Sequence, residues 1–190
     1  MFTAKFPPGD EEKLRELILY ICLKSEGDRY FASTKLNKLL FYSDFFAYLY
    51  LGKSMTEQEY QALEKGPAPR QFVPIREKMI EEKELHIRES NSLGKTQKVP
   101  VALREPHLSR FNGDEIALVD DIIEQFWNMS ATQISEKSHE FLGWKLMDKG
   151  QTIPYSIALI GRNRELTEQE LLWAKELEPI AQEVLARHAL

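Results

Sequence analysis

The sequence predicts a mainly α fold: a compact helical domain with one small β-hairpin insertion. Three observations carry that prediction. Apolar residues recur at helical spacing along most of the chain. Several stretches open on capping residues. Strict alternation of apolar and polar residues is confined to one region, about 84–104. At 190 residues, 43% hydrophobic and 29% charged, the chain has the ordinary composition of a globular domain. It is long enough to bury a core without a disulfide or a metal.

The first helix is expected over Asp10–Lys24. Leu14, Leu17, Ile18 and Ile21 follow the i, i+3, i+4, i+7 spacing of a buried face, acidic residues crowd the first turn, and Gly27 and Asp28 end it. The second runs from Thr34 to Leu51, with Ser33 or Thr34 as cap and Gly52 as an αL stop. Leu36, Leu39, Leu40, Phe46, Ala47 and Tyr50 share one face, while Phe41, Tyr42, Phe45, Tyr48 and Leu49 lie outside that stripe. A helix that is apolar nearly all round belongs at the centre of its domain.

Thr56 with Glu59 reads as a capping box for a short helix to Lys65. Gly66-Pro67-Ala68-Pro69 then breaks the chain stiffly, with a positive φ expected at Gly66. Helix follows over Arg70–Lys83, with a late start or kink at Pro74. Leu85 and Ile87, then Val99, Val101 and Leu103, form a hairpin around a polar loop from Ser90 to Thr96. Helices resume over 112–127, capped by Asn112, and over 130–137, capped by Ser130 with Gln133. Thr167 with Glu170 caps a last helix, 167–188, expected to pack on the rest of a single domain spanning 1–190.

Composition excludes several function classes. The net charge of −5 opposes phosphate-backbone binding, so nucleic acid is not an expected partner. No apolar run approaches the roughly 20 residues of a membrane span, and the N-terminus lacks a signal-peptide core. No membrane partner is expected, and the expected location is cytoplasmic. Cys22 is the only cysteine and sits among Leu19, Tyr20, Ile21 and Leu23, as a buried, inert thiol would. Phosphate-binding, dinucleotide-binding, nucleophile-elbow and His-Glu-x-x-His patterns are absent. The histidines, His86, His107, His139 and His188, are scattered, so no metal and no cofactor are expected.

His139 is the sharpest single candidate for chemistry. As a general base it would need an orienting carboxylate, but Ser138 and Glu140 are its sequence neighbours and cannot face it on one helix. The alternative is a histidine that bridges helices. Asp44, inside an aromatic run, is either an exposed charge or a buried acceptor for a main-chain donor or a tyrosine hydroxyl.

Three segments carry a resemblance. They are Lys35-Leu36-Asn37-Lys38-Leu39-Leu40-Phe41-Tyr42-Ser43-Asp44, Tyr60-Gln61-Ala62-Leu63-Glu64-Lys65-Gly66-Pro67-Ala68-Pro69, and Ile134-Ser135-Glu136-Lys137-Ser138-His139-Glu140 with Trp144. In this order and spacing, over about 12–148, the chain resembles the Panacea domain, the SocA-like antitoxin domain of phage-associated proteins. The resemblance implies an antitoxin of a toxin–antitoxin system that neutralises a cognate toxin protein by direct binding. One branch of the family is an adaptor delivering its toxin to a protease, which makes a protease a second expected partner. It implies no enzyme and no catalytic residue. Lys38, Leu39, Asp44, Gly66, Pro67, Ser138, His139 and Trp144 then read as scaffold.

Two other functions stay open on sequence: a DNA-binding transcriptional regulator, and a hydrolase using His139. Self-association is open as well. For the partner surface, the stiff Gly-Pro break points to its neighbours Tyr60, Arg70 and Phe72, joined by Tyr48 from the central helix. Burial in the core is the alternative for Tyr60 and Phe72; exposure is expected for Arg70.

Overall fold

In the computed structural model of the chain, residues 9–92 and 95–159 are described. They all fall within the first of two units, Met1–Ile160. The helix expected over 167–188 lies outside the described residues.

Helix α1 (Glu11–Lys24) starts where Asp10 accepts the Lys13 N–H at 2.8 Å. Helix α2 (Ser33–Leu51) ends at Gly52, whose φ is 80°. Its cap is neither Ser33 nor Thr34. Ala32 holds that position without a side-chain bond, and the Ser33 hydroxyl donates instead to the Lys98 carbonyl at 2.9 Å. Leu36, Leu40, Phe41, Phe45 and Ala47 are all fully buried, so both faces of α2 are covered, as its all-round apolar pattern requires.

The expected helix from Thr56 to Lys65 does not form. The Thr56 N–H and hydroxyl both go to the Asp44 carboxylate, which removes the cap. Glu57 has φ 54°, and the chain then extends as β1 (Tyr60–Gln61). Strand β1 pairs antiparallel with β2 (Ala68–Pro69) and with β5 (Thr152–Ile153), giving a three-stranded sheet in the order β2-β1-β5. The mainly α expectation thus holds with a second small sheet added. Strands of two residues are too short for alternation to mark them.

Helix α3 (Phe72–Glu81) begins two residues later than expected. Pro74 sits in its first turn, where no N–H is needed. Strands β3 (Leu85–Ser92) and β4 (Lys95–Ala102) pair from Leu85↔Ala102 to Ser92↔Lys95, through residues expected as loop. Arg104 ties the hairpin to α1, meeting Glu16 at 2.7 Å and Glu84 at 2.8 Å. Helices α4 (Gly113–Gln125) and α5 (Ala131–His139) both open on capping boxes, Asn112 with Glu115 and Ser130 with Gln133. A short α6 (Leu142–Leu146) precedes β5. No helix among the described residues is long and apolar enough to cross a membrane.

The core is centred on α2, which packs against α1, α4 and α5. Its aromatic heart is Phe41, Phe45, Tyr60, Phe141 and Tyr155, with Phe41 and Phe45 centroids 4.5 Å apart and Phe45 and Tyr155 4.7 Å apart. Cys22 is buried, and burial pushes its thiol well above the ordinary range.

Candidate functional site

Three ionisable side chains of α2 point inward, and each is held by main chain. Lys35 is 1% exposed. Its ammonium donates to Asp28 Oδ2 at 2.5 Å, to the Phe126 carbonyl at 2.6 Å and to the Met129 carbonyl at 2.9 Å. Of the two carbonyls, Phe126 is the C-cap of α4 and Met129 lies in the turn before α5, so Lys35 pins the α4–α5 connection with its charge. Asp28 turns its other oxygen to the Tyr30 N–H at 3.0 Å. Lys38, also buried, donates to the Pro67 carbonyl at 2.8 Å. Burial lowers its pKa to about 7. Asp44 is fully buried; besides Thr56 it accepts from the Tyr60 hydroxyl at 2.8 Å. Burial raises its pKa, and the hydrogen bonds from Thr56 and Tyr60 oppose that. Asp44 is therefore the buried acceptor of a tyrosine hydroxyl. Leu39, between these groups, is core.

The Gly-Pro turn meets α5 at Lys38. Gly66 has φ 92°, and its Cα faces the Ser138 hydroxyl and the Lys38 amine. The Ser138 hydroxyl donates to the Ser135 carbonyl at 2.7 Å. The next residue, His139, stacks on Trp144, with ring centroids 3.8 Å apart and planes 17° apart. The Trp144 indole N–H donates to the Leu63 carbonyl at 2.9 Å. Burial and the nearby Lys38 lower the His139 pKa, and its Nε2 is buried without a partner. This cluster joins the Gly-Pro turn, α5 and α6. Its serine faces a carbonyl and its histidine faces an indole, so it holds no base–nucleophile pair.

The four residues proposed for the partner surface are not together on it. Tyr60 and Phe72 are 1% and 3% exposed and belong to the core. Arg70 is half-buried, against the expectation of exposure. Its guanidinium donates to the Gly150 carbonyl and to Thr152 Oγ1, both at 3.0 Å, and meets Glu59 at 3.2 Å. It thereby clasps β5 against the neighbouring strand. Tyr48 is half-buried and stacks on Tyr155 at 5.7 Å.

A surface groove of about 990 Å³ lies beside the motif residues. Its walls come from the start of α2, the turn before Gly66, β4 and one side of α5, and include Ser33, Lys65, Lys98, Thr132 and His139. Sequence reasoning missed this groove and the Lys35–Asp28 pair. An Asp two residues before Tyr30, the signature of an Asx turn, was the signal for the pair. The groove had none, because four separate segments build it. Among the described residues, no group of three or more His, Cys, Asp or Glu side chains could hold a metal ion.

No curated protein matches this chain, and no solved structure does. A family model does match, and it spans 36–145, the stretch that contains the α2 motif, the Gly-Pro turn, the hairpin and the His139–Trp144 stack. By that match the chain belongs to the antitoxin SocA-like family, the Panacea domain.

Proposed function

We propose that the chain is the antitoxin of a toxin–antitoxin pair and neutralises its toxin by direct contact. The family match over 36–145 carries this reading. The geometry supports it: the buried polar groups of the matched segment hold helices and turns in place, leaving the surface as the working part. A non-enzymatic role is part of the same proposal. The negative charge of the chain, −5, favours fast encounter with a basic partner.

The test is to co-express the chain with the product of each neighbouring reading frame, scored by growth arrest, its rescue, and co-purification of the two chains. Rescue with a stable complex is expected. Rescue that persists while the toxin half-life collapses in a protease-competent host would mark proteolytic delivery. Growth arrest unrelieved by the chain at normal protein level would refute the antitoxin reading.

A further inference from the structure

We infer that the turn 63–67 is an acid-labile latch: side chains of α2, α5 and α6 hold it, and proton uptake at that junction lets it open while the rest of the chain stays folded. This goes beyond the antitoxin reading and holds whatever partner the chain binds.

Polar side chains hold the turn more than apolar packing does. Leu63 and Glu64 border a cavity of about 180 Å³, shared with Trp144 and Met147. On the other side Glu64 and Lys65, both exposed, border the groove with His139. Gly66 and Pro67 are buried, but against Lys38 and Ser138. Within the turn the Gly66 N–H donates to the Leu63 carbonyl at 2.8 Å, and the flanking strands β1 and β2 have two residues each. The ties to the helices are the Trp144 indole N–H on the Leu63 carbonyl, at 2.9 Å, and the Lys38 amine on the Pro67 carbonyl, at 2.8 Å. Between them the His139 ring stacks on Trp144 and hydrogen-bonds the Glu64 main chain. A segment tied in this way opens at a lower free energy than the whole fold.

Two of the holding groups titrate. The Lys38 amine has the Pro67 carbonyl as its acceptor and no ion pair among the described residues, and burial lowers its pKa to about 7. His139 has a buried Nε2 without a partner, and burial together with the Lys38 charge lowers its pKa. The charged groups facing the ring are Lys38 from α2, which opposes a proton there, and Glu136 from α5, which favours one. The turn offers it the Glu64 main chain and α6 the Trp144 indole. A proton on either group is unfavourable while the latch is closed, and both groups reach water when it opens. Opening therefore becomes easier as pH falls from 10.5 toward 7 through Lys38, and easier again below 6.5 through His139.

The experiment is amide exchange of the full chain at about pH 8.5, 6.5 and 5.5, read at the Gly66 N–H, with each rate divided by its intrinsic value. Protection at Gly66 should fall at least tenfold from the highest pH to the lowest. Low urea should leave the Gly66 rate unchanged, because a local opening exposes little surface. Melting curves confirm that the variants Lys38→Met and His139→Phe fold. Combined, they should flatten the pH dependence to within about twofold. His139→Phe alone, which serves if Lys38→Met does not fold, should weaken the dependence between the two lower pH values. Gly66 protection that is equal at all three pH values overturns the latch, and so does a pH dependence that the variants leave unchanged. Gly66 exchange that rises with urea as steeply as that of the slowest α2 amides also overturns it, since the opening is then global.

Discussion

Gly66 lies so close to Ser138 that a Cβ on the glycine would stand 2.3 Å from the serine Oγ and 2.8 Å from Lys38 Cε. With φ at 92° as well, glycine is required here twice, by conformation and by space. Gly66→Val should therefore destabilise the fold by about 3 kcal/mol, combining left-handed strain with overpacking. Urea denaturation measures this, and a midpoint within experimental error of the parent would contradict the contact.

Lys35 and Asp28 form a buried ion pair, each side chain 1% exposed. Lys35→Met would strand the Asp28 carboxylate and free the Phe126 and Met129 carbonyls of the α4–α5 connection. A loss of roughly 3–5 kcal/mol is expected for removing one partner of such a pair. Adding Asp28→Asn should restore part of it, so a double-mutant cycle should give a large coupling. Additive single losses would show that the pair contributes little beyond its separate hydrogen bonds.

Burial lowers the Lys38 pKa to about 7 in the folded chain, against 10.5 for the free amine. Between those values the unfolded chain binds the extra proton. Stability attributable to this group therefore rises as pH climbs from about 7 to 10 and is constant below, with a slope of at most roughly 1.4 kcal/mol per pH unit. Lys38→Met loses the bond to the Pro67 carbonyl but removes this dependence. The stability difference between parent and variant should widen with pH over that range; a constant difference would place a charged amine in the folded state.

His139 should act on stability. His139→Ala removes the stack on Trp144, worth about 1 kcal/mol beyond the area buried. Its folded pKa is lowered, so the unfolded chain protonates first and parent stability falls as pH drops through 6.5. His139→Phe keeps an aromatic face and cannot titrate, so its melting temperature should fall less than that of His139→Ala and should vary less between pH 7 and pH 5. Equal melting temperatures for the Ala and Phe variants would mean the stack carries no stability.

What the sequence determined by itself was local. The 3.6-residue periodicity marked α1, α2 and α4, Asn112 and Ser130 marked two helix starts, and alternation marked the hairpin, because each depends on neighbours within about a turn. The ordered motifs also identified the family. Tertiary structure decided the rest. It drew Thr56 to Asp44, 12 residues away, and so replaced a helix with β1. It drew Lys35 to carbonyls more than 90 residues away, and it turned Arg70 inward to Thr152 of β5, 82 residues on. The groove is of the same kind: Ser33, Lys65, Lys98 and Thr132 meet only once α2 is packed. A buried polar group takes whichever partner the packed chain brings to it, and sequence distance has no bearing on that choice.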